Sequence, residues 1–494
     1  MGSRTSDTDS SIWADPDDLR TAFTLALSQM YKAEVPLYGD LVKVVSEVNH
    51  TSTITNPEVR AMRYGGADTA GTGPSRLDVE RHGAIRVGTS QELRTMRSIF
   101  GVLGLQSVGY YDLSEAGLPM HATCFRPTSQ ASLDRNPFRV FTSVLRPELL
   151  KNAEVRELAE RILGQRNIFS DELIRILASV KDQSGRLAVA QGEDFIREAL
   201  KTFKWQGSAI AGREEYEKLK AEHPVLADVV CFGTTHINHL TPRTLDIVKV
   251  QETMGLHGIQ AKHRIEGPPA RDCPILLRQT SFLAVEEAIA FPTALYQAKR
   301  GGVEKSSHRA RFGEVEERGA AVTPAGRALY DRLTQKSMET AMQESTGEQS
   351  SSDSYEQILQ STFREFPDAW SELRRLGLVH FYYRCLPDQK LPSGSKIRRE
   401  DGSASLDELL QQGFIEAVPV TYEDFLPLSA AGIFQSNLSS GASKSTVVFQ
   451  SNPDRQGLED ALGTRILDPD ELYTKAVESS ISKCSSQLQV AIVS

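Results

Sequence analysis

Three separated stretches of this chain carry the residue types that hold divalent metal ions. His82 lies in Val79-Glu-Arg-His82-Gly-Ala-Ile-Arg86 and His239 lies in His236-Ile-Asn-His239-Leu-Thr-Pro-Arg243. A run of carboxylates occupies Phe312-Gly-Glu314-Val-Glu316-Glu317-Arg318. Two imidazoles and one carboxylate form a facial triad, which leaves coordination positions open for a substrate and for oxygen. Strand side chains alternate, so Glu314, Glu316 and Arg318 share one face and Glu317 points away. Unpaired buried carboxylates are costly, so a cation must accompany that face: a metal, Arg318 or Arg86. Glu316 is the preferred third ligand and Glu314 the reserve. The competing interpretation is an exposed edge strand with Glu/Arg pairing.

Arg86 follows His82 by four residues, an even offset that keeps both on one face of a strand. A guanidinium beside a metal suits a bidentate grip on a substrate carboxylate. Its alternative role is a salt bridge to Glu314 or Glu316. His236 competes with His239 and is a candidate outer partner, as is His121. The remaining histidines, including His223 and His308, need no chemistry.

The elements that must position these residues form a degenerate repeat. His82 and His239 each open a His-x-x-x-Arg motif that ends a strand, and an amphipathic helix follows (Gln91 to Leu103, and Thr244 to Leu256). Each helix stops at glycine: Gly101 or Gly104, and Gly255 or Gly258. Three strand candidates follow each helix. They are Ser107–Leu113, Met120–Arg126 and Phe138–Leu145 in one half, and Ile259–Ile265, Ile275–Glu286 and Ala310–Val322 in the other. Two β-α-β-β-β units about 155 residues apart therefore predict an α+β fold with a shared concave sheet. The unit at 79–146 holds His82. The unit at 228–330 begins on an extended strand from Asp228 to Arg243 and holds the rest of the metal site. Around them lie a helical region at 17–78, a helical insert at 147–227 and a mixed region at 331–470. Residues 1–16, the polar stretch 343–354 and the tail 471–494 are expected to be disordered or weakly patterned.

The chain has 494 residues, a formal net charge of -9 and 24% charged residues. That acidic balance, without a basic block, argues against nucleic-acid binding. Five scattered cysteines contain no Cys-x-x-Cys pair, which argues against a disulfide framework and a thiolate zinc site. No apolar run of about 18 residues exists, so no membrane span is expected. The polar start lacks a signal-peptide core, and a cytoplasmic protein is the expectation.

Together with Tyr422-Glu-Asp-Phe-Leu-Pro-Leu-Ser-Ala-Ala-Gly-Ile-Phe-Gln-Ser-Asn437, these motifs resemble the 2-oxoadipate dioxygenase/decarboxylase family over about residues 17–465. The resemblance implies a vicinal-oxygen-chelate-like fold and an Fe(2+) centre. The implied reaction takes 2-oxoadipate and O2 to 2-hydroxyglutarate and CO2, in lysine catabolism. Carried over, His82, His239 and Glu316 (reserve Glu314) are the metal ligands. His82 and Arg86 meet the substrate, with Arg86 as its carboxylate clamp, and Val418 shapes the pocket end. Other enzymes of the fold remain alternatives: a hydroxyphenylpyruvate-type or ring-cleaving dioxygenase, or a glyoxalase-type lyase. A non-catalytic binding protein is a third.

Overall fold

The computed structural model describes residues 12–55, 76–262, 264–292, 305–344, 352–387, 397, 399, 401–426 and 452–493. Its centre is one seven-stranded, curled sheet. The strands are β1 (Arg81–Val87), β2 (Gln106–Asp112), β3 (Met120–Arg126), β4 (Arg139–Leu145), β5 (His239–Pro242), β6 (Leu277–Ser281) and β9 (Phe312–Arg318). Their order is β2-β3-β4-β1-β5-β9-β6. A separate ribbon pairs β7 (Glu286–Ala290) with β8 (Lys305–Arg309).

The repeat is visible in the connections. β1 runs parallel to β4, and β5 runs parallel to β9. The helices Ser90–Val102 and Ile247–Leu256 follow the two first strands. Both are followed by a left-handed glycine, Gly104 at φ 71° and Gly258 at φ 70°, where a side chain would be strained. The two units join edge to edge through the antiparallel pair β1 and β5. This is the concave α+β sheet that the repeat predicts.

The second unit is the more degenerate one. The predicted strand at 259–265 is reduced to isolated bridges that follow β6, Ala261 with Phe282 and Glu266 with Gln279. The extended strand expected from Asp228 is a helix, Pro224–Val230, then a loop and only four residues of β5. Pro224 starts that helix without needing a donor, and His223 Nδ1 accepts the Val225 N–H at 3.1 Å. Every residue of the helix after Pro224 is buried. A short apolar run buried on all sides has no period to separate helix from strand.

Strand alternation divides the sheet into two faces. Ile85, Val87, Val140, Val144, Leu240 and Val315 pack into an apolar layer with Phe23, Met96, Phe100, Phe195 and Phe203 of the surrounding helices. The other face carries the polar site. The first helical region is broken into Pro16–Glu34 and Pro36–Thr55, because Pro36 has no N–H to continue the ladder. The insert resolves into helices Ala153–Leu163, Asp171–Asp182, Gly192–Phe203 and Arg213–Glu222.

The tail is more ordered than its pattern predicts. Asp468 caps the helix Pro469–Leu488, and the strand Ala491–Val493 pairs with Ser403–Ser405. Ser352 to Ser354, expected in a polar loop, begin the helix Ser352–Thr362; residues 345–351 lie outside the described residues. So do residues 1–11 and 427–437. Among the described residues, no helix is long and apolar enough to cross a membrane.

Gly319 ends β9 against backbone. A Cβ there would lie 2.4 Å from Pro274 C and Ile275 N, neither of which can swing aside. We predict that Gly319→Ala destabilises the protein by about 1–3 kcal/mol, the usual cost of overpacking. A lowered urea midpoint at unchanged slope is the check; an unchanged midpoint refutes the prediction.

Candidate metal centre

Register brings the sequence-predicted residues together. Ala84 of β1 pairs with His239 of β5, and His82 pairs with Thr241. His82 and His239 thus share one face, offset along the strands by one side-chain repeat. His239 also pairs with Phe312 of β9, which sets Glu314 beside Thr241. Three adjacent strands therefore present His82, His239 and Glu314 to one point. One ligand atom from each lies within 4.8 Å of the others, and all three residues are buried. The two imidazole rings meet edge to face at 5.4 Å.

Glu314 Oε1 is 3.0 Å from His82 Nε2. The same oxygen accepts from Gln279 Nε2 at 2.6 Å and from Thr241 Oγ1 at 3.2 Å. Its other oxygen, Oε2, is buried and has no hydrogen-bond partner among the described residues. A buried carboxylate oxygen without a donor is costly, and a cation would remove that cost. Burial pushes the His239 imidazole down to about 3, so it is neutral near pH 7 with a lone pair to give. Burial works the same way on His82, but Glu316 and Glu314 outweigh it and raise its pKa. The donor set fits a divalent metal.

Glu316, ranked ahead of Glu314 on sequence, has a different setting. Its Oε2 lies 2.9 Å from His82 Nδ1, on the opposite side of the ring from Glu314. Arg318 grips it through Nε to Oε1 at 2.9 Å and Nη2 to Oε2 at 2.8 Å, and Arg139 Nη1 is 3.7 Å from Oε1. Burial opposes its charge, and these guanidiniums overcome that, holding the carboxyl well below the usual range. Glu317 pairs with Arg278 at 3.0 Å, as strand alternation predicts for a side chain on the other face.

Arg86 forms a buried ion pair with Asp228, a residue sequence reasoning did not single out. The salt-bridge alternative named Glu314 or Glu316, and Asp228 takes that place. Asp228 also accepts from His236 Nε2 at 3.1 Å and His308 Nε2 at 3.0 Å, while His308 Nδ1 meets Tyr216 OH at 2.9 Å. His236 thus belongs to the Asp228 network, and His308 has a role that its sequence context hides. The one available cue was an acid inside the apolar run Val225 to Val230. Burial opposes ionisation of Asp228, but Arg86 and the two histidines hold its pKa far below the usual carboxylate range.

A segment from the third region walls the site. Arg318 Nη1 donates to the carbonyls of Tyr422 and Asp424, each at 2.9 Å. Arg126 grips Asp424 through two bonds, and Tyr473 OH donates to it at 2.6 Å. The Phe425 ring, so anchored, packs 4.9 Å from His82 and 5.3 Å from Phe141. Val418 pairs with Tyr382 in a ribbon outside the seven-stranded sheet. His121 lies on β3, its ring 6.0 Å from Tyr110.

Known proteins resemble this chain over most of its length. Residues 23–437 match the model of the 2-oxoadipate dioxygenase/decarboxylase family. A 2-oxoadipate dioxygenase/decarboxylase from Escherichia coli (strain K12) is 45% identical, covering 95% of this chain and 98% of its own. One from Pseudomonas putida is 44% identical, covering 97% and 98%. The crystal structure of the Pseudomonas putida hydroxyglutarate synthase in complex with 2-oxoadipate superposes with a TM-score of 0.83. It is 42% identical and covers 97% of this chain and 99% of that one. With matches that span both repeat units and the segment over the site, the chain belongs to the 2-oxoadipate dioxygenase/decarboxylase family.

Proposed function

We propose that this protein is an iron(II)-dependent enzyme that converts 2-oxoadipate and O2 to 2-hydroxyglutarate and CO2, with the metal on His82, His239 and Glu314. The convergence of those three side chains from adjacent strands carries the reading. The names of the relatives support the substrate. When bound, iron(II) supplies open positions for the 2-oxo acid and O2 and the electrons that couple decarboxylation to hydroxylation.

The protein's own groups do the positioning. His239, neutral near pH 7, offers a lone pair, and Glu314 supplies the negative charge, its Oε1 steadied by Gln279 and Thr241. Arg86 lies on the His82 face of β1, and we assign it to a substrate carboxylate. Asp228 fixes its guanidinium. Phe425 and Phe141 keep water from the His82 side. Val418 is assigned to the far end of the substrate, through the segment that continues by Val420 into Tyr422. The five free cysteines support a reducing, cytoplasmic setting.

Oxygen uptake tests the reading. Iron-loaded protein given 2-oxoadipate should consume O2 and form CO2 and 2-hydroxyglutarate in equal amounts. Product without oxygen uptake would indicate a lyase, and uptake only with phenolic 2-oxo acids would indicate a different oxygenase; either result overturns the proposal.

A further inference from the structure

Glu316 touches the candidate metal centre only through His82. His82 Nδ1 and Glu316 Oε2 are 2.9 Å apart; Nδ1 has no other hydrogen-bond partner among the described residues, while Oε2 also meets Arg318 Nη2 at 2.8 Å. Glu316 Oε2 is the carboxylate oxygen beside Nδ1 among the described ion pairs. The far side of the same ring, Nε2, faces Glu314. A neutral imidazole carries one proton, so a proton held at Nδ1 leaves the Nε2 lone pair for a metal.

The carboxylate that would hold this proton is itself fixed. Arg318 meets both its oxygens, at 2.9 and 2.8 Å, and the same guanidinium donates to the carbonyls of Tyr422 and Asp424. The orientation of Glu316 is thereby tied to the segment whose Phe425 packs on His82. With Arg318 and Arg139 beside it, Glu316 has no need of a metal to balance its charge. Glu314, in contact with no guanidinium among the described ion pairs, does.

We infer that Glu316 is a positioning residue that acts through His82, fixing the imidazole with its proton on Nδ1 so that Nε2 is the metal-binding nitrogen, and that Arg318 holds Glu316 for this purpose. The inference rests on the ligand set proposed above. Outer partners of ligating histidines commonly contribute 10–100-fold to metal affinity.

Cobalt(II) titration and proton NMR of the cobalt-loaded protein test it. Each ligating imidazole should give one exchangeable N–H signal shifted by the paramagnetic ion. Glu316→Gln keeps an acceptor oxygen and the shape, so the His82 signal should move and affinity should fall about 10-fold. Glu316→Ala should lose that signal to solvent exchange and bind about 100-fold more weakly, with the His239 signal in place. The thermal midpoint of metal-free protein reports folding; if the alanine variant does not fold, the glutamine variant carries the test. Two unchanged signals and an affinity within about twofold of wild type would overturn the inference while leaving the ligand set standing. Wild-type protein that takes up no cobalt, or a His239→Ala variant that binds as well as wild type, would overturn the ligand set and the inference together.

Discussion

Glu314→Gln is expected to lose the metal and stop turnover while leaving the fold intact. The amide has nearly the shape of the carboxylate, so packing around β9 changes little. What disappears is the negative charge and one anionic ligand from a site with two neutral imidazoles. Loss of an outer partner commonly costs 10–100-fold in metal affinity, so loss of a ligand should exceed about 100-fold. Glu314 Oε2 accepts no hydrogen bond among the described residues, so the amide breaks no bond within the protein at that atom. Chelator-stripped wild type should be equally inactive and should recover with iron(II). Metal content after dialysis, oxygen uptake and the thermal midpoint form the measurement. A Glu314→Gln protein with wild-type metal content and activity, beside a Glu316→Gln protein that has lost both, would reverse the assignment.

The second large effect is expected at Arg86. Arg86→Ala should retain the metal but lose roughly 30- to 5,000-fold in kcat/KM, corresponding to about 2–5 kcal/mol for truncating one member of a buried, hydrogen-bonded charge pair. The alanine variant also strands Asp228, whose charge is buried with Arg86 as its cation. It should therefore be less stable by about 3–5 kcal/mol, and Arg86→Ala with Asp228→Asn should regain most of that stability without regaining activity. Arg86→Lys should also remain weak, because an ammonium cannot reproduce the planar fork. If the double variant recovers turnover as well as stability, Arg86 serves the fold and not the substrate.

Much of the site was legible in the chain because strand geometry is local. Alternation placed Glu317 opposite its neighbours, and the structure has it there on Arg278. The repeat singled out His82 and His239 as equivalent, and they stand on the paired first strands. It also separated His239 from His236, which lies on Asp228. The family motifs pointed to the family that the comparisons establish. The apolar run from Val225, by contrast, gave no sign of being a helix. Nor did the tail pattern announce its 20-residue helix.

The sequence by itself determined which strand faces carry the chemistry, since a side-chain period of two needs no knowledge of neighbours. It could not separate Glu314 from Glu316, because two residues on one face of one strand are equivalent under that period. The register of β9 against β5 separates them, setting Phe312 beside His239 and Glu314 beside Thr241. The guanidiniums of Arg318 and Arg139 then claim Glu316. Asp228 became the partner of Arg86 in the same way, across 142 residues of chain. Register and long-range charge pairing are set by packing the whole sheet against its helices, so only the tertiary structure could decide them.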